Sequence, residues 1–94
     1  MSDKIKIELS TSITGLKNEQ LTFIEIRKPV FREIRQFGYP FNSEGIDWPV
    51  ASKCLSALSG LPEAILDQVS ASDSLKMVTA LGEAYGADEE DVKN

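Results

Sequence analysis

The run KIKIELSTSIT, Lys4 to Thr14, constrains the fold more than any other part of the chain. It places Ile5, Ile7, Leu9, Thr11 and Ile13 at every second position, with Lys6, Glu8, Ser10 and Ser12 between them. On a helix this period scatters apolar side chains around the axis, whereas on a strand it gathers them on one face. A half-buried strand is therefore expected. GLKNEQ follows as turn chemistry, with Gly15 and Asn18 able to adopt positive φ, and LTFIEIR supplies a second β-rich segment. Together they predict an antiparallel hairpin over residues 4–27. Adjacent Phe23 and Ile24 must point to opposite faces unless a bulge intervenes there. An isolated hairpin is marginal in water, so helices must cover it or another copy must extend it, which leaves a homo-oligomer open.

The rest of the sequence reads as short helices, about four of them between residues 29 and 86. Pro29 suits a first helical turn, and Val30, Ile34 and Phe37 form a stripe at i, i+4, i+7. Gly38 and Pro40 end that helix, and GYPFNSEGID is a loop of about ten residues. Asp47 is a good N-cap, Pro49 falls in the first turn, and Ala51, Cys54, Leu55 and Leu58 share a face before Gly60 closes the helix. Pro62 starts a short helix buried through Ile65, Leu66 and Val69. Ser70 or Ser72 caps the next, with Asp73 near its positive end and Leu75, Val78 and Leu81 or Tyr85 inward. The expected architecture is α+β: an N-terminal antiparallel β-hairpin, then about four short α-helices, forming one compact domain over residues 1–86. Residues 87–94, ADEEDVKN, read as a flexible acidic tail.

Function is narrowed first by what the chain lacks. It has one cysteine and no histidine, so an internal disulfide, a Cys/His zinc site and a nucleophile–histidine pair are all ruled out. Glu63 and Asp67 fall at i, i+4 on one helix, but the simpler reading is a solvated face that complements the helix N-terminus. SGLPE lacks the repeated glycines and lysine of a phosphate loop, and Cys54 on an apolar stripe reads as core. No catalytic, cofactor-binding or metal-binding residue is expected. No apolar run is long enough for a membrane span and no signal-peptide block is present, which predicts a cytoplasmic protein without membrane contact. Residues 1–35 carry seven Lys/Arg against five Asp/Glu, and the remainder carries three against ten. Such an acidic body disfavours nucleic acid.

What remains points to binding. Phe37, Tyr39, Phe41 and Trp48 cluster in sequence around the long loop, and large aromatics are frequent interface anchors; the alternative is a second small core beneath the loop. Arg27, beside Lys28 and Pro29, is either an ordinary strand end or a contact for an acidic partner.

Four segments carry a family likeness: IELSTSI at Ile7 to Ile13, LTFIEIRKP ending at Pro29, CLSALSGLP at Cys54 to Pro62, and Asp73 beyond it. In order and spacing they resemble the tail assembly chaperone family of Mu-like and related contractile-tailed phages and prophages, over roughly residues 5–85. The resemblance implies a small non-catalytic protein of the host bacterial cytoplasm. Such a protein binds the tape-measure protein, with tail tube subunits as a further partner, and keeps its long helices soluble until the tube forms around it. In such families a longer form often arises by ribosomal frameshifting. The residues matching the motif are Arg27, Pro29, Leu58, Gly60, Leu61, Pro62 and Asp73, and most read as architectural: prolines that start helices, a glycine that ends one, an aspartate that caps or charges one. The competing reading is a bacterial adaptor or regulatory module whose acidic helical face engages a basic protein.

Overall fold

The computed structural model describes residues 4–86; the acidic segment 87–94 lies outside them. The fold is α+β, as the sequence predicts. An antiparallel hairpin of β1 (Ile5–Thr14) and β2 (Gln20–Ile26) is followed by α1 (Phe31–Phe37), a two-residue-per-arm hairpin β3 (Phe41–Asn42) and β4 (Gly45–Ile46), then α2 (Trp48–Ser59), α3 (Glu63–Leu66) and α4 (Ala71–Ala84). The segment expected as an irregular loop thus contains a small hairpin of its own, whose turn is tied by the Asn42 side chain accepting from the Glu44 N–H at 2.9 Å.

At the tip of the first hairpin Asn18 takes positive φ (62°). At Gly15 the Glu19 carboxylate folds over the backbone, within 2.9 Å of where a Cβ would stand, while accepting from the Lys17 N–H; a larger residue there would displace that flexible side chain. The register runs Ile5 opposite Ile26 to Glu8 opposite Phe23, then resumes at Ile13 opposite Leu21. Four residues, Leu9 to Ser12, therefore face Thr22 alone. The bulge lies in β1, not at Phe23–Ile24, and across that pair the strand simply buries Ile24 and leaves Phe23 exposed. Thr11, expected on the apolar side, is exposed where the bulge breaks the alternation.

Helix α4 packs on β1, and α2 touches β2, α1, α3 and α4. The core between them joins Ile7, Ile13, Ile24 and Ile26 to Ala51, Cys54, Leu55 and Leu58 of α2, Leu66 of α3, and Met77, Ala80, Leu81 and Ala84 of α4. The inward face of α2 is the one its sequence predicts. Asp47 caps it by accepting from the Val50 N–H, and Gly60 ends it in the left-handed conformation that L-residues avoid.

Two helices are rotated from expectation. In α1, Val30 and Ile34 are exposed, and the residue turned inward is Glu33, 1% exposed. Its carboxylate reaches back to the Val30 N–H (2.8 Å) and pairs with Arg27 Nη2 (2.8 Å), which outweighs the apolar stripe in orienting a two-turn helix. Pro29 precedes the N-cap, Val30, rather than occupying the first turn. In α4, Leu75 is exposed and Val78 only half-buried; the inward face is Asp73, Met77, Ala80, Leu81 and Ala84. Asp73 sets this rotation through its contacts with β1.

Candidate partner-binding surface

Two polar locks hold the scaffold, and between them they engage Asp73 and Arg27, two of the charged residues the sequence singles out. At the first, the bulge turns the N–H groups of Ser10 and Thr11 away from β2. Asp73, at the third position of α4, accepts from both, with Oδ2 at 2.9 and 3.2 Å, and also from Ser10 Oγ at 3.0 Å. Ser70 caps the helix by accepting from the Asp73 N–H at 3.2 Å. These donors, the Ser10 N–H foremost, hold the Asp73 carboxyl at about 2 against an opposing desolvation cost. Lys76 Nζ stands 3.5 Å from Asp73 Oδ1. Asp73 is thus a structural clamp, more than the helix-end charge the sequence suggests.

At the second, Arg27 and the Val30 N–H hold Glu33 at about 2, with the Arg27 hydrogen bond the larger cause. Arg27, a candidate contact for a partner, is engaged internally by Glu33 at 2.8 Å. Beside this pair the Tyr85 hydroxyl is buried next to the Cys54 thiol without a hydrogen bond of regular geometry. Burial raises the pKa of both groups, so both stay neutral at physiological pH.

The four loop aromatics do not form one cluster. Phe37 and Phe41 are half-buried against the core. Tyr39 meets Tyr85 edge-on at 5.4 Å and Phe41 at 6.3 Å, and its hydroxyl donates to the Tyr85 carbonyl at 3.2 Å, so it docks the small hairpin onto the end of α4. Trp48 stands apart. It is 55% exposed at the start of α2 and borders a groove of about 230 Å³ lined also by Ser52, Leu55, Leu66, Asp67 and Met77. The groove has an apolar floor from three helices, an aromatic wall, and one carboxylate at its rim. It can accept an aliphatic side chain of a partner, with a neighbouring cation near Asp67. The contribution of Met77 was hidden in the sequence, although counting one helical turn on from Asp73 reaches it.

Of the remaining motif residues, Leu58 is core, Gly60 and Pro62 bound α2 and α3, and Leu61 is half-buried beside β2. Glu63 and Asp67 are both exposed, and Glu63 accepts from Ser52 Oγ at 2.8 Å. Among the described residues no three His, Cys, Asp or Glu side chains are placed to hold a metal ion, and no helix is long and apolar enough to cross a membrane. Compared with known proteins, the chain matches no family model, no curated protein and no solved structure.

Proposed function

We propose that this chain is a non-catalytic tail assembly chaperone of a phage or prophage, acting in the host cytoplasm by binding the tape-measure protein and keeping it soluble until tube subunits enclose it. The reading is supported by the resemblance of the four motif segments. The observation that carries it is the Trp48 groove, where an exposed aromatic stands over Leu55, Leu66 and Met77. An amphipathic client helix would lay its apolar stripe there, placing one side chain in the groove and packing the next turn on the indole. Such contact needs no catalytic group, and its modest size suits a client that must later be released.

Trp48 is the only tryptophan in the chain, so its emission reports on the groove without labelling. Titration with helical peptides from the tape-measure chain should shift the emission to shorter wavelength as the indole leaves water. The binding should weaken only modestly between low and physiological salt. Affinity that collapses on charge screening would favour the acidic-adaptor reading instead.

A further inference from the structure

The two edges of the β1–β2 ribbon differ in how their backbone groups are satisfied. Along β1, Asp73 takes the N–H groups of Ser10 and Thr11. Gln68 accepts from the Thr14 N–H at 3.0 Å and donates to the Thr14 carbonyl at 2.8 Å, and Lys76 Nζ donates to the Glu8 carbonyl at 3.1 Å. Side chains from α4 and the segment before it thus stand in for a third strand. Along β2, among the described residues, nothing outside β1 bonds the backbone of Leu21 to Glu25; the nearest tie is the Arg27 N–H to the Leu58 carbonyl at 3.1 Å.

That open edge lacks the usual protection of exposed strands. It has one charge in seven residues, no proline, and no bulge, the bulge being in the other strand. A groove of about 280 Å³ runs beside it, lined by residues 20–25, Ser59 and Leu61, with Lys4 also at its wall.

We propose that a second copy of this chain pairs here, β2 against β2, antiparallel about a two-fold axis at Phe23, giving a four-stranded sheet. Charge selects this arrangement. Glu19 precedes the strand and Arg27 and Lys28 follow it, so antiparallel pairing sets oppositely charged ends side by side. Glu19 and Arg27 already have internal partners, so these two act as opposed fields rather than as a new ion pair. In this register Leu21 faces Glu25 of the other copy. A parallel pairing, or an axis at Glu25, would set like charges face to face. Pairing like with like also satisfies both open edges at once, which closes the assembly.

The proposal is independent of the client reading, and its test uses the purified full chain alone. Sedimentation over a range of concentrations should give a mass approaching twice that of the chain, and hydrogen exchange should show slowed amides within Leu21 to Glu25 as the dimer forms. Phe23→Cys chains should cross-link to each other under mild oxidation, because residues facing across an antiparallel pair have Cα atoms about 4.5–5.5 Å apart. Glu25→Cys chains should not, since their like positions lie about 13 Å apart along the strands. Phe23→Glu should give a folded monomer. A monomer at every concentration, with β2 amides exchanging freely, would overturn the proposal and leave the edge to a strand of another protein. Equal cross-linking at positions 23 and 25 would overturn it as well.

Discussion

The Asp73 carboxylate accepts the Ser10 N–H across 63 positions of sequence, at 2.9 Å, and so ties the first turn of α4 to the bulge of β1. This contact fixes the rotation of the helix and gives the bulge a partner. Without the carboxylate, the Ser10 and Thr11 N–H groups lose their acceptor, and the α4–β1 layer loses its register.

Asp73→Ala should therefore lower the melting temperature by several degrees, and Leu75→Ala should leave it nearly unchanged despite removing a larger apolar side chain. Thermal melts of the two variants, followed by circular dichroism, check this. Equal losses would mean that α4 buries the face its hydrophobic pattern suggests.

Acid should unfold the protein through the same two locks. Asp73 and Glu33 both titrate near 2 in the folded chain, below their ordinary values of 3.8 and 4.5. A carboxylate with a lowered folded-state pKa contributes stability that is fully present above its unfolded pKa and is lost as pH falls toward the folded one. Stability from these groups should be level above about pH 5 and decline between about pH 5 and pH 2. Urea midpoints measured across that range should show the decline, and it should be shallower in Asp73→Asn and in Glu33→Gln.

The rotation of α1 predicts an inverted order of mutational cost. Glu33→Ala, which strands the Val30 N–H and the inner face of Arg27, should cost about 1–3 kcal/mol. Ile34→Ala, at an exposed position, should cost less than about 1 kcal/mol. Leu58→Ala in the core should cost about 2–5 kcal/mol. Chemical denaturation of the three variants tests the ranking.

The hairpin, the inward face of α2 and most caps were legible in the sequence because each is specified locally, by period-two alternation in KIKIELSTSIT, by Asp47 and by Gly60. The rotations of α1 and α4 were not. Both depend on buried carboxylates whose partners, Arg27 and the bulged backbone at Ser10, become neighbours only through the fold. A charged residue counts as surface in any hydrophobic-pattern reading, so the sequence pattern passes over Glu33 and places Asp73 at a helix end. The aromatic residues show the same limit. Composition marks Phe37, Tyr39, Phe41 and Trp48 alike, but Tyr85, distant in sequence, holds Tyr39 to the scaffold by ring contact although it stays 46% exposed, whereas Trp48 borders the groove.

Trp48 should accordingly be dispensable for folding. Its ring is more than half exposed, so Trp48→Ala should preserve the circular dichroism spectrum and shift the melting temperature by no more than about 2–4 °C, equivalent to some 0.5 kcal/mol in a domain this small. Tyr39→Ala, which unpins the small hairpin from α4, should be the more destabilising of the two.

The most direct test of the central claim is the soluble fraction of a tape-measure protein co-expressed with this chain. On the proposed reading, the client to use is a tape-measure protein whose gene neighbours the one for this chain. The wild-type chain should keep the client in the supernatant and co-purify with it. Trp48→Ala, folded but lacking the groove wall, should leave most of the client in the pellet, as should omitting the chain. A client equally soluble in all three conditions, or equally rescued by Trp48→Ala, would contradict the account.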